Sequence, residues 1–104
     1  MATLHFDALN LTTMFSGHLC LELSEKINWG EFPEYAWVLL QKLNGYVVNK
    51  NDSVDIYLWD VVIDGVELQL VWDDFPSMAS LEAMNNAGDL LLKKLFDQLK
   101  GNQS

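Results

Sequence analysis

The stretch of residues 54–73 limits the folds open to this chain more than any other. Two runs rich in β-branched and aromatic residues flank the dipeptide Asp64-Gly65, which favours the positive φ angles of a type I′ hairpin turn. A two-residue turn also fixes the register of the strands that it joins, so each residue has one predicted partner. The sequence therefore predicts a β-hairpin at the centre of a small sheet.

The predicted register gives this hairpin two faces of different composition. Pairs on the first face are all apolar or aromatic: Ile63 with Val66, Val61 with Leu68, Trp59 with Leu70, and Tyr57 with Trp72. Pairs on the second face are mixed: Val62 with Glu67, Asp60 with Gln69, Leu58 with Val71, and Ile56 with Asp73. We expect the first face to be core. The second contains an apolar island, Ile56, Leu58 and Val71, and a contiguous apolar patch indicates a covering layer or a partner.

The remaining strands are predicted from alternation of apolar and polar residues. This period-2 pattern favours strands over residues 4–9 and 18–24, with a turn around Ser16-Gly17 between them. A third strand is predicted over residues 46–48. Residues 80–83 could be a short last strand or the start of a long helix, and the strand is favoured because Asn85, Asn86 and Gly88 are unfavourable inside one continuous helix. Both hairpins are local in sequence, which favours antiparallel pairing.

Two helices complete the prediction. Pro33 suits the first helical position and Gly45 the left-handed position after the last turn, so the first helix lies between them. The second helix runs to about Lys100, with Asn85 or Asn86 as its N-cap. The predicted fold class is α+β: a small, mostly antiparallel sheet of five or six strands with both helices packed on one face, in the order ββ-α-βββ-(β)-α.

Length and charge narrow the function classes. A chain of 104 residues is expected to form one domain, spanning residues 1–104. It has a formal net charge of −9 and no arginine, which disfavours nucleic acid as a partner. No run of about 20 apolar residues and no secretory signal pattern is present. We therefore expect a cytoplasmic protein without a membrane partner.

One group of residues resembles a metal-ligand set: His5, Asp7, His18, Cys20 and Glu22. If the first two strands pair, alternation could bring up to four of these side chains together, a combination that suits zinc. The group forms no tight motif, and carboxylates near Cys20 would disfavour its reactive thiolate. The favoured interpretation is therefore a structural cysteine, no cofactor and no catalytic constellation.

The leading functional hypothesis is a non-enzymatic protein–protein interaction module that forms a homodimer through a sheet face or edge. The candidate interface residues are Ile56, Leu58 and Val71. Trp37 lies partly off the apolar stripe of its helix, as an edge contact or an interface anchor. One alternative is an acidic inhibitor or immunity-type protein that binds a basic enzyme. A second is a small metal-binding protein that uses the His5, His18 and Cys20 group.

The chain also resembles a known family over roughly residues 30–99. The features that carry the resemblance are the first helix leading into the hairpin, the strand of Trp59, and residues 80–83 followed by a leucine-rich helix. The family consists of bacterial proteins of about this length and is catalogued as a domain of unknown function. The resemblance therefore implies no activity and no site residues.

Overall fold

The central hairpin has the predicted register. The computed structural model describes residues 6–74 and 77–101, and in it strands β4 (Ile56–Ile63) and β5 (Val66–Asp74) are joined by a two-residue turn. Asp64 and Gly65 both adopt positive φ, 55° and 77°. Each predicted pair, from Ile63 with Val66 to Ile56 with Asp73, is present.

The hairpin lies within a six-stranded antiparallel sheet with strand order β1-β2-β6-β5-β4-β3. The other elements are β1 (Asn10–Thr13), β2 (Leu19–Ser24), α1 (Phe32–Lys42), β3 (Gly45–Asp52), β6 (Ser77–Ala83) and α2 (Asn86–Gly101). The described part of the chain therefore confirms the predicted α+β class and the order of its elements.

Both helices pack on the apolar face of the hairpin. The apolar stripes of α1 and α2 join the first-face residues of the strands in one core cluster. The ring of Phe32 in α1 lies 4.7 Å from Tyr57 and 5.1 Å from Trp59, centroid to centroid. The indole N–H of Trp72 donates to the carbonyl of Ile27 at 2.7 Å, so this buried polar group has a partner. The aromatic cluster is core, as expected.

The first strand differs from its prediction. Residues 4 and 5 lie outside the described residues, residues 6–9 are not strand, and β1 begins at Asn10. The physical reason lies in Asp7, whose carboxylate accepts hydrogen bonds from the hydroxyl of Ser24 and the amide of Glu25. A tight turn near Gly17, whose amide donates to the carbonyl of Met14 at 2.9 Å, then sets the register of β1 against β2.

The end of α1 also corrects a prediction. Asn44 takes the left-handed conformation, with φ 58°, and Gly45 begins β3 instead. Asparagine tolerates this conformation better than most residues. Gly45 is needed for a different reason: a Cβ there would lie 2.7 Å from Cγ1 of Ile63 and 2.9 Å from the carbonyl oxygen of Val62.

Strand β3 is longer than the predicted 46–48. A bulge between Val47 and Asn49 shifts its register, and pairing with β4 then continues to Asp52. The Asp52 carboxylate accepts a 2.6 Å hydrogen bond from the indole of Trp59. Lys50 Nζ lies 4.4 Å from the centroid of the same indole ring. These contacts hold polar residues in the strand beyond its predicted end at residue 48.

The C-terminal region agrees with the sequence. Residues 80–83 belong to β6, and the side-chain oxygen of Asn85 accepts a 2.9 Å hydrogen bond from the Gly88 amide. Asn85 is therefore the predicted N-cap of α2. Asp89 lies in the first turn, and the predicted stripe of leucines faces the core: Leu91, Leu92, Leu95 and Leu99.

Candidate interaction surfaces

The sheet face opposite the helices is called the open face here, because neither α1 nor α2 packs on it in residues 6–74 and 77–101. Pairing across the strands identifies its members, since directly opposed residues share a face. In β2, β4, β5 and β6 they are Cys20, Glu22, Ile56, Leu58, Asp60, Val62, Glu67, Gln69, Val71, Asp73, Met78, Ser80 and Glu82. In β3, Tyr46 lies opposite Val62 and therefore belongs to the same face. The predicted interface residues therefore share one surface.

The apolar island of Ile56, Leu58 and Val71 lies near the middle of this face. Ile56 and Leu58 are half-buried, and Val71 is 7% exposed. Leu58, Val71 and Ser80 are consecutive partners across β4, β5 and β6 and form one row perpendicular to the strands. Leu58 and Val71 thus form a short apolar strip across the sheet, and Ile56 lies in the next row.

Acidic side chains surround this strip. The open face carries five carboxylates: Glu22, Asp60, Glu67, Asp73 and Glu82. Within the described strands the one lysine is Lys50, which lies on the other side against Trp59. The amides of Asn10 and Gln69 donate to Glu22 and Asp60 at 3.0 Å and 3.1 Å. Neutral donors bond these carboxylates without removing their charge, so the face stays negative.

Glu82 is the carboxylate most affected by its position. It is half-buried between Cys20 of β2 and Gln69 of β5. Burial raises the pKa of the Glu82 carboxyl, and no neighbouring group in the described residues lowers it again. The Glu82 charge is therefore partly desolvated and lacks a compensating cation.

A second surface lies at the edge of the sheet formed by β3, called the β3 edge. In the part of the chain that the structure describes, no strand pairs with the outer side of β3. Tyr46 and Val48 on this strand are 60% and 63% exposed, and Trp37 of α1, beside it, is 63% exposed. The edge therefore combines unpaired backbone groups with large apolar side chains.

A groove of about 400 Å³ runs between α1 and β3 at this edge. Its lining residues are Trp37, Leu40, Gln41, Gly45, Tyr46, Val47 and Lys50. One sequence signal indicates this groove: Trp37 lies off the buried stripe of its helix. The bulge at Val48, which exposes a second apolar side chain, had no signal of its own.

The predicted metal-ligand group is not assembled in the residues that can be compared. His5 lies outside the described residues, and Asp7 is bonded to Ser24 and Glu25, away from Cys20. Across residues 6–74 and 77–101, no group of three or more His, Cys, Asp or Glu side chains could hold a metal ion. Metal binding by His5, His18 and Cys20 thus gains no support from the geometry.

His18 and Cys20 have structural surroundings. Nδ1 of His18 lies 2.9 Å from the carboxylate of Asp89, which also accepts a 2.8 Å hydrogen bond from the Leu19 amide. The hydrogen bond with His18 is the main cause that lowers the pKa of Asp89. These contacts attach β2 to the first turn of α2. Burial raises the pKa of the Cys20 thiol to about 11, which disfavours the nucleophilic thiolate.

The architecture defines a small α+β protein whose six-stranded antiparallel sheet carries two helices on one face. The family model described as "Protein of unknown function (DUF3630)" matches residues 9–100, so the chain belongs to that family. This match confirms the predicted membership in a family of unknown function and extends it beyond residues 30–99. Bacterial origin stays a prediction. No curated protein and no solved structure matches the chain.

None of the helices in the described residues is both long enough and apolar enough to cross a membrane. The cytoplasmic location expected from the sequence stays a prediction.

Proposed function

We propose that this chain is a non-enzymatic interaction module that forms a homodimer by pairing the β3 edges of two copies. The observation that carries the proposal is the unpaired outer side of β3 with three large, mostly exposed side chains beside it. These are Trp37, Tyr46 and Val48. Isolated exposed apolar residues are ordinary, whereas three beside a free strand edge favour a partner strand.

Charge supports self-association at this edge. The chain as a whole has a net charge of −9, and two copies repel each other over most orientations. Helix α1 and strand β3 are exceptions, because each contains one acidic residue and one lysine. Two β3 edges can therefore approach with little net repulsion.

The strand geometry favours a closed dimer. Antiparallel pairing of two β3 strands is isologous, since the same surface is used on both copies. The bulge at Val48 interrupts the regular ladder of the strand, which restricts the registers available to a partner. The opposite edge, β1, has four residues and offers little for a further copy. Self-association then stops at two chains.

The groove between α1 and β3 gives this dimer a place for apolar anchors. Paired edges bring the exposed Trp37 of each copy close to the groove of the other. Insertion of this aromatic side chain removes apolar surface from water. Backbone hydrogen bonds between the two β3 strands then determine the register, and apolar contacts in the groove contribute affinity.

Size-exclusion chromatography with light scattering over a concentration series tests the proposal. The expected mass is twice 11.9 kDa. Val48→Lys should return the mass to that of one chain, because it places a charge of the same sign in both halves of the interface. Leu90→Lys is the matched control, since Leu90 is 67% exposed on α2, away from the edge. A single-chain mass at the highest concentration contradicts the proposal.

A further inference from the structure

We propose that the open face binds a basic amphipathic helix of a partner protein, which completes a third layer over the sheet. This goes beyond the homodimer, because it uses a different surface and a different kind of partner. The acidic inhibitor of a basic enzyme, expected as an alternative from the sequence, is one form of it.

The order of rows on the open face carries the proposal. The apolar strip consists of Leu58 and Val71, and its row continues through Ser80 to Glu22. On one side of it, the neighbouring row contains Asp60, Gln69 and Glu82. On the other side, the row contains Ile56, Asp73 and Met78. An apolar strip with carboxylates in both flanking rows is complementary to a helix that has an apolar stripe between two lines of Lys or Arg.

The charge of the face selects among possible occupants. A second copy of the chain would place five carboxylates against five, with no lysine from either sheet face to offset them. Nucleic acid is repelled for the same reason. A basic amphipathic helix suits the face for two reasons. Its apolar stripe covers the apolar strip, and its cations compensate the carboxylates on either side.

Glu82 is the point where a cation would act most strongly. Its carboxylate is half-buried, and burial alone disfavours its charge in the described structure. A Lys or Arg of the partner placed beside Glu82 would stabilise the ionised carboxylate in a partly desolvated site. Glu22 and Asp60 already have amide donors, at 3.0 Å and 3.1 Å, so Glu82 is the open position.

The face is large enough for a helix. Six strands at a spacing of ~4.8 Å span roughly 24 Å between the outer strands. A helix of about 16 residues, at a rise of ~1.5 Å per residue, covers that width. The flat surface of a sheet accepts a helix as a packing layer, as the opposite face of this sheet shows with α1 and α2.

The test is an NMR titration of the isotope-labelled full chain with a helical peptide of about 16 residues composed of Leu and Lys. A peptide with Glu in place of every Lys is the charge control. The expected result is saturable shifts confined to open-face residues of β4, β5 and β6, with no binding of the Leu/Glu peptide. Shifts centred on α1 or α2, equal binding of both peptides, or no binding at all would overturn the proposal.

Variants separate this site from a general attraction to an acidic protein. Glu82→Gln should weaken binding about threefold to tenfold, and Leu58→Asn by a similar factor. Asp97→Asn removes the same charge from an exposed position on α2 and should leave the affinity unchanged. Equal weakening by Asp97→Asn would contradict the proposal. If Leu58→Asn fails to fold, Ile56→Asn tests the apolar residue of the neighbouring row.

This titration is independent of self-association. Binding at the open face is expected whether the chain elutes as one copy or two, because pairing of two β3 edges uses backbone groups at the side of the sheet and leaves the open-face side chains of β4, β5 and β6 accessible. A chain that is monomeric and binds the peptide contradicts the homodimer and supports this proposal. A chain that is dimeric and does not bind the peptide supports the homodimer and contradicts this proposal.

Discussion

The β3 edge and the open face are both apolar in part, yet they differ in charge and in what they offer to a partner. The β3 edge has no net charge across β3 and α1. The open face carries five carboxylates and no lysine on its described strands. On a chain of net charge −9, charge decides which apolar surface can meet a second copy and which needs a basic partner.

The two surfaces also differ in their backbone. At the β3 edge, amide and carbonyl groups on the outer side have no strand partner in the described residues. On the open face, the backbone of β4, β5 and β6 is paired on both sides, and side chains alone are available. The edge therefore suits a strand, and the face suits a helix.

The largest expected effect comes from Gly45→Ala, which changes the start of the edge strand. The added Cβ would lie 2.9 Å from the carbonyl oxygen of Val62 and 2.7 Å from Ile63. Backbone cannot move away cheaply, so the free energy of unfolding should fall by about 1–3 kcal/mol. Denaturant unfolding measures this loss, and self-association should weaken with it because β3 is displaced.

Gly101→Ala is the matched control for Gly45→Ala. No atom lies within 4 Å of a Cβ at Gly101, near the end of α2. Alanine is the better helix former, so stability should be unchanged or slightly increased. If both variants lose the same stability, close packing at Gly45 is not the cause.

Trp37→Ala should weaken the dimer and leave the open face intact. Trp37 is 63% exposed in the single chain, so its removal costs little folding stability. As aromatic anchors of the interface, the two Trp37 side chains of a dimer should together contribute about 2 kcal/mol, or roughly 30-fold in the dimer Kd. Analytical ultracentrifugation measures this constant. An unchanged Kd would remove Trp37 and its groove from the interface.

Leu58→Asn should produce the opposite pattern. Leu58 is half-buried on the open face, and asparagine is a poor strand former, so a stability loss of about 1 kcal/mol is expected. The dimer mass should not change, because Leu58 lies on β4 and away from the outer side of β3. Loss of the dimer in this variant would place the dimer interface at the predicted residues Ile56, Leu58 and Val71. The β3 edge and the open face would then not bind different partners.

How well a structural feature can be predicted from the sequence depends on how far apart in the chain its interacting residues lie. The Asp64-Gly65 turn acts locally, and it predicted every pair of the central hairpin and hence the apolar island. The position of Gly45 depends on close approach to Ile63, and that of β1 on the contact of Asp7 with Ser24. Such contacts between residues distant in sequence have no periodic signal.

The same distinction applies to the candidate surfaces. The apolar island could be predicted because it lies within one hairpin. Three of the five carboxylates around it, Asp60, Glu67 and Asp73, follow from the same hairpin. Glu22 and Glu82 could not be predicted, because they join the face through pairing of β2 with β6, and that register does not follow from a short turn. The Val48 bulge was missed for a related reason: polar residues 49–52 resemble a turn unless their contacts with Trp59 are known.

The smallest expected effect tests the cost of an uncompensated charge on the open face. Because burial raises the pKa of Glu82 above its ordinary 4.5, the folded state holds the proton more tightly than the unfolded state. This contribution to stability is complete below pH 4.5 and is lost as pH rises through the raised pKa. Glu82→Gln should therefore raise Tm at pH 7 and lose that advantage in acid. Glu67→Gln, which removes the same charge at an exposed position on the same face, is the matched control. Equal shifts in both variants would assign the effect to net charge, whereas a shift confined to Glu82→Gln would identify the position where a partner's cation has most to stabilise.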